Sequence, residues 1–439
     1  MIKKVFITIA LGLFLGTAFS QTINSSKLDS LFQVLDTNNK FMGSIAISQN
    51  DKIIYSKAIG KADLETNKKA NVLTKYRIGS ISKMFTTVLI FKAVEEKKIS
   101  LSTTISKYFP TIDNAKKITV GNLLNHRSGI HNFTDDSLYL TYNTLPKTEL
   151  EMLKIIKNGK SDFEPNSKVE YSNSNFVLLS FILVKVYKKP FGQLLNERIL
   201  KPLGLKNTYV GNKIKIGNNE CYSYSYIANW EKESETDMSI PKGAGAIVST
   251  PTDLVMFIEN LFEGKLISTQ SLEQMKTLKD NYGMGMFQVP FYDKKGFGHT
   301  GGIDGFTSVL WYFPLDKFSV AITSNGATYE NNNIVIAVLS SFYNKPFEIP
   351  TFINIITKTE ELDQYLGVYS SPDFPLKISI TKSNLILNAQ ATGQSAFPLD
   401  AIKKDIFEFK AAGIKLEFMP DKKQMLLKQG AGKYTLTKE

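Results

Sequence analysis

The chain has 439 residues, 43% hydrophobic and 21% charged, an ordinary balance for a folded protein with a large core. That composition excludes a disordered, collagen-like or coiled-coil chain. The net charge of +12 comes from basic residues scattered among acids, as in Glu95-Glu96-Lys97-Lys98. There is no basic block interleaved with aromatics and no zinc-finger spacing, so no nucleic-acid partner is expected.

The first twenty residues stand apart. Lys3 and Lys4 precede an uncharged apolar run, Val5 to Phe19, and Ala18-Phe19-Ser20 offers small residues where signal peptidase reads. The pattern predicts a secretory signal peptide over 1–20, cleaved before Gln21. The run is shorter than the roughly 20 residues of a membrane span, and no cysteine follows it to carry a lipid. No stable membrane anchor is therefore expected after cleavage, and the mature protein is placed in the periplasm or outside the cell. The lone cysteine, Cys221, cannot form an internal disulfide, which suits an exported chain, and a passive role is expected for it.

Residues 43–49 and 52–59 read as two strands joined by a tight turn at Asn50-Asp51. A further strand leads through Tyr76-Arg77-Ile78 to Gly79. There the period changes. Met84, Phe85, Val88, Leu89, Phe91 and Val94 mark a helix apolar almost all round, and so buried. Residues 100–240 mix helices with loops, the clearest helix covering 175–188. Another begins at Thr250-Pro251-Thr252-Asp253, with Thr250 as N-cap and Pro251 at the first helical position. Strands resume at 306–313 and 317–324 around Pro314-Leu315-Asp316, and a helix follows at 331–343. Strands from both ends of the chain with helices between them imply an α+β domain over 21–345. Pro346 and Pro350 bracket a linker, 346–358. Short alternating runs then predict a small antiparallel β-barrel over 359–439.

Three constellations carry chemistry. Gly79-Ser80-Ile81-Ser82-Lys83 sits where a strand turns into the buried helix, which places Lys83 one turn from Ser80. Free N–H groups at that helix start, including that of Ser80, can hold an oxyanion. Burial lowers the pKa of Lys83 toward a neutral amine. Tyr171-Ser172-Asn173 precedes the second helix. It offers a proton relay and an amide that both donates and accepts hydrogen bonds. Gly298-His299-Thr300-Gly301-Gly302 opens the late strands. Its glycines admit close backbone approach, with the Gly302 N–H as a second oxyanion donor. Each alone has a plain structural reading: an N-cap, a turn with a half-buried tyrosine, a glycine-rich turn.

Together the three resemble the serine β-lactamase and penicillin-binding protein superfamily, which uses Ser-x-x-Lys with a second polar motif and Lys-Thr-Gly. The resemblance is closest to the branch of class C β-lactamases, D,D-carboxypeptidases, D-aminopeptidases and esterases. That branch has Tyr-x-Asn as its second motif and often His-Thr-Gly as its third. Their order fits, with 91 residues from Ser80 to Tyr171 and 128 more to His299. Leu123-Leu124-Asn125-His126-Arg127-Ser128-Gly129, Lys201-Pro202-Leu203-Gly204-Leu205 and Ile247-Val248-Ser249-Thr250-Pro251-Thr252-Asp253-Leu254 are also family-like. The segment Leu362-Asp363-Gln364-Tyr365-Leu366-Gly367-Val368-Tyr369 is similar to the opening of the lipocalin-like barrel appended to such proteins.

The resemblance implies a β-lactamase/transpeptidase-like sheet flanked by helices, with a mainly helical inserted subdomain. It implies Ser80 as nucleophile and Lys83 and Tyr171 managing its proton, with either of them as the base. The N–H groups of Ser80 and Gly302 hold the oxyanion, and Asn173, His299, Thr300 and Gly301 serve substrate binding. No cofactor and no metal are expected, because His126 and His131 have no convergent ligands around them. His299 stands where relatives carry a lysine that favours substrate carboxylates, which weakens the case for a dedicated β-lactamase. The expected activity is that of an exported serine hydrolase on D-amino-acid peptides, small esters or amides, including peptidoglycan-derived peptides. A β-lactamase is the near alternative and a non-catalytic binding protein or sensor the distant one. Oligomeric state is left open.

Overall fold

The computed structural model describes residues 23–439 apart from 227–228, 353–357, 384, 395, 410–411 and 431. The expected signal peptide lies outside the described residues.

An antiparallel sheet of six strands forms the centre. Helix α1 (Ser25–Thr37) leads into β1 (Phe41–Gln49) and β2 (Lys52–Ile59), which are joined by a turn with Asn50 and Asp51 both at positive φ. Long helices follow: α2 (Ser82–Glu95), α3 (Asn173–Tyr187) and α4 (Pro251–Phe262). The chain returns to the sheet in β3 (Phe287–Phe291), β4 (Lys294–Ile303), β5 (Phe306–Phe313) and β6 (Phe318–Ala327), and closes with α5 (Asn331–Phe342). The strand order is β3-β4-β5-β6-β1-β2, so β1 is zipped to β6 from the other end of the chain.

Alternation along each strand divides the core. Ile45, Ile47, Val320 and Ile322 face α1 and α5, packing on Phe32 and Phe342. Ala46, Leu310 and Ala321 face the other way, toward Phe85 of α2 and Phe257 of α4, whose rings stack with centroids 3.7 Å apart. Helix α2 lies in that second layer with apolar residues on every side. This is why Lys83, in its first turn, has no solvent-exposed surface. Thr250 caps α4, accepting from the Asp253 N–H at 3.2 Å.

Residues 367–438 hold a closed antiparallel barrel of eight strands, running from β7 (Gly367–Ser371) to β14 (Gly432–Lys438), which pair with each other. Inward residues such as Ile380, Leu387, Phe407, Leu416, Met425 and Leu436 fill it as a packed core. The expected antiparallel barrel is thus present. The start of the expected linker is tethered. The Phe347 carbonyl accepts from Lys27 Nζ at 2.5 Å, and the Phe347 and Phe352 side chains pack against the α1/α5 layer.

Two local expectations change. The strand before Gly79 is only Tyr76–Arg77, and it pairs with Ile247–Ser249 in a separate three-stranded sheet. The glycine-rich motif is not an entry turn. It lies inside β4, where Gly301 and Gly302 pair with Ser308 and Thr307 of β5.

Candidate active site

Ser80 sits in a single 3-10 turn, Gly79–Ile81, that runs directly into α2. Gly79 has φ +48°, a left-handed conformation that L side chains rarely adopt. A Cβ there would lie 2.7 Å from both the N and the O of Gly302, so the turn and β4 press backbone to backbone. Gly301 is held as tightly, because its Cβ would lie 2.1 Å from the Ile78 carbonyl oxygen. The second and third glycines of the motif therefore seat β4 against the serine turn.

Helix geometry then brings Lys83 Nζ to 2.9 Å from Ser80 Oγ. The amine also donates to Asn173 Oδ1 and to the Ala244 carbonyl, both at 2.8 Å. Tyr171 Oη donates to Ser80 Oγ at 2.7 Å. Burial holds the Lys83 pKa well below its ordinary value of 10.5, and no carboxylate among the described residues offsets it. Burial also raises the Tyr171 pKa, so the phenol keeps its proton near neutral pH.

Asn173 opens α3. Its N–H donates to Asn132 Oδ1 at 2.9 Å, and its Nδ2 to Thr134 Oγ1 at 3.1 Å. Tyr171, two residues earlier, is fixed by His126, whose ring stacks on it at 4.4 Å between centroids. His126 Nδ1 accepts the Ser172 N–H at 3.1 Å, and burial keeps that imidazole neutral. The sequence marked His126 only as part of a family-like loop. Its role as the platform under Tyr171 comes from the fold. His131 lies elsewhere, between Asp136 and Asp162. Among the described residues, no group of three or more His, Cys, Asp or Glu is placed to hold a metal.

Alternation in β4 separates the third motif into two faces. Thr300 and Gly302 are exposed, whereas His299 is buried beneath the strand. His299 Nδ1–H donates to the Thr300 carbonyl. Its Nε2 has no partner among the described residues. Desolvation, reinforced by the Lys83 charge, lowers its pKa to about 3. The motif thus presents no cation at neutral pH.

That shift has a consequence for stability. Between about pH 3 and the ordinary 6.5, the unfolded chain binds a proton at His299 that the folded protein refuses. Its contribution is complete above about pH 6.5 and drains away as pH falls toward 3, by roughly 5 kcal/mol in all. His299→Asn should therefore flatten the acid side of the stability curve, measured as the urea midpoint at pH 4 against pH 7. An unchanged slope would remove His299 as its source.

The cleft beside Ser80 has a volume of about 380 Å³, and Asn173, Gly302, Phe133, Tyr139 and Asp304 are among its walls. Of the residues expected to touch substrate, Ser80, Asn173 and Gly302 line it, whereas Gly301 packs against the Ile78 backbone. Arg77, three residues before Ser80, is buried. It clamps the turn after the third motif through Nη1 to Asp304 Oδ2 at 2.9 Å, and it also donates to the Thr236 carbonyl. Sequence reasoning missed Arg77, Asp304, Ala244 and Thr236. Ala244 acts through a backbone carbonyl, which no residue type advertises.

Comparison with known proteins places the chain among relatives. The teichoic acid D-alanine hydrolase of Staphylococcus aureus (strain MRSA252) is 26% identical over 313 residues, 68% of this chain and 73% of its own length. The D-amino acid amidase of Ochrobactrum anthropi SV3, solved with D-phenylalanine, superimposes with a TM-score of 0.64 at 25% identity, covering 72% of this chain and 99% of the amidase. A penicillin-binding protein homologue from Pyrococcus abyssi shares the fold over 94% of this chain and all of its own, with a TM-score of 0.67 at 22% identity. The family described as Beta-lactamase matches residues 28–339, well over half of the 439, and this chain belongs to that family and is a serine hydrolase.

Proposed function

We propose that the protein is an exported hydrolase of D-amino-acid esters and amides that works through an acyl group carried on Ser80. One observation carries the reading. Ser80 Oγ lies within hydrogen-bond reach of a buried amine and a buried phenol at once, at the wall of a cleft that also exposes Gly302. Two D-amino-acid hydrolases among the relatives favour the acyl group named. The uncharged apolar start of the chain favours export. Among the described residues, no helix is long and apolar enough to cross a membrane.

The hydrogen bonds around Lys83 support it as the base. Asn173 Oδ1 and the Ala244 carbonyl only accept, so they take two N–H bonds of a neutral Lys83 amine. In that neutral form the remaining lone pair can accept from the Ser80 hydroxyl, whose Oγ lies 2.9 Å away. Tyr171 is already donating to Ser80 Oγ. Ser80 Oγ attacks the substrate carbonyl carbon and its proton passes to Lys83. The oxyanion rests on the N–H groups of Ser80 and Gly302. As the carbon–oxygen or carbon–nitrogen bond breaks, the leaving alkoxide or amine takes a proton through Tyr171, which is replenished from Lys83. Water then attacks the Ser80 ester, and its proton returns the serine hydroxyl as the free amino acid leaves.

A fluorophosphonate probe and a D-alanyl ester test this. The wild type should take up the probe at Ser80, and its intact mass should rise by one aminoacyl group during turnover. Ser80→Ala should show neither, with activity down by about 10⁴-fold or more. Labelling that survives in Ser80→Ala would sink the proposal.

A further inference from the structure

The charges around the cleft are one-sided. Among the described residues, no Lys, Arg or His side chain lines it, and the one imidazole beneath β4 is neutral. Two carboxylates do line it, Asp304 and Glu233, and they differ in kind. Asp304 is consumed by the fold: Arg77 Nη1 donates to it at 2.9 Å and Thr236 Oγ1 at 2.6 Å. Glu233 is half-buried, and its carboxylate has no hydrogen bond or ion pair among the described residues. It also lines the adjoining recess of about 360 Å³, whose walls include Arg77 and Lys213. Arg77 is held there by Glu235 as well as Asp304, and exposed Lys213 makes no ion pair with Glu233. Glu233 thus borders the cleft that holds Ser80 with no cation paired to its carboxylate among the described residues.

We propose that Glu233 is the specificity-determining residue for a substrate ammonium group, so that the cleft selects acyl donors with a free amine over acylated amines and over peptides ending in a carboxylate. The inference rests on the Ser80 acyl-transfer reading and adds the charge of its substrate. An ammonium brought against a half-buried carboxylate gains a charge-assisted hydrogen bond, whereas a substrate carboxylate meets a like charge with no cation to receive it. The neutral state of His299 removes the site at which a relative's lysine would bind such a carboxylate.

The full-length protein is assayed at pH 7 with D-alanine p-nitroanilide, its N-acetyl derivative, a peptide ending in D-Ala-D-Ala, and p-nitrophenyl acetate. The free amine should be preferred over the N-acetyl compound by about tenfold in kcat/KM, the size of one partly solvated charge-assisted contact. The D-Ala-D-Ala peptide should be poorer still. Glu233→Gln should bring the ratio of amine to N-acetyl substrate close to one, with the loss in KM rather than kcat. Glu233→Asp, which keeps the charge, should restore part of the preference. A ratio unchanged in Glu233→Gln, or a fall shared equally by both substrates, would overturn the assignment. If the wild type turns over p-nitrophenyl acetate yet shows no preference for the amine, only the charge selection fails. If the wild type is inert to every substrate and to the fluorophosphonate, the acyl-transfer reading fails and takes this one with it.

Discussion

Lys83→Met should lower the rate of Ser80 acylation by about 10²–10⁴-fold, the range for loss of a positioned general base, while the protein still folds. Lys83 is wholly buried on α2, with its amine against Ser80, Asn173 and Ala244. Methionine retains the length and apolar stem of the side chain. The substitution takes the Lys83 donor from both Asn173 Oδ1 and the Ala244 carbonyl, at about 1–3 kcal/mol each, and relieves the burial of an amine, a term of opposite sign and similar size. Stability should therefore change little while activity collapses. The pH profile gives the sharper check. In the wild type, acylation accelerates with rising pH as the amine loses its proton, at a pH below that of an ordinary lysine. Lys83→Met should lose that limb in fluorophosphonate labelling rates taken across the pH range. A variant that kept it would assign the base to another group.

Gly301→Ala should cost about 10²–10³-fold in the same rate, the value of one oxyanion donor, together with a measurable loss of stability. The added methyl would stand 2.1 Å from the Ile78 carbonyl oxygen and 2.4 Å from Ser308 Oγ. Neither can retreat freely, because Ser308 Oγ donates to that same carbonyl at 2.9 Å. Strand β4 must then move off the serine turn and carry the Gly302 N–H with it. Overpacking of this kind typically costs about 1–3 kcal/mol. The neighbouring glycine is the control for stability, since a Cβ on Gly302 meets only the Phe306 carbonyl, at 4.0 Å. Gly302→Ala should keep the wild-type melting temperature and Gly301→Ala should not. Equal melting temperatures would show that the strand tolerates the shift.

Elements with a strong single period were legible. The alternation in 43–49 and 52–59, the all-round apolar helix after Ser82 and the Thr250-Pro251 cap all stand where the residues put them. Strand β4 was not legible as a strand. Lys294, Lys295 and its glycines have poor strand propensity, and only pairing on both sides with β3 and β5 holds it extended. Helix α1 was missed because half of its face is polar and its partner α5 comes from the far end of the domain.

The site divides in the same way. Ser80, Lys83, Tyr171 and Asn173 were readable because side chains at fixed spacings advertise themselves, and the fold gathers them within hydrogen-bond reach of one another. The Ala244 carbonyl and the ring of His126 under Tyr171 are set by tertiary approach, which spacing does not encode. Glu233 sits on a polar stretch, Glu231 to Asp237, that reads as a solvated surface until the cleft is seen beside it.

The pairing of β1 with β6 also governs when this molecule can come into being. Ser324 Oγ donates to the carbonyl of Met42 across 282 positions of chain, so the first strand waits for the last strand of its sheet before it has a neighbour on that side. Ladders closed over such separations form slowly, because loop entropy must be overcome before any contact rewards it. Ser80 therefore emerges from the ribosome long before its cleft exists, and a chain interrupted short of Phe318 has no sheet on which to assemble one.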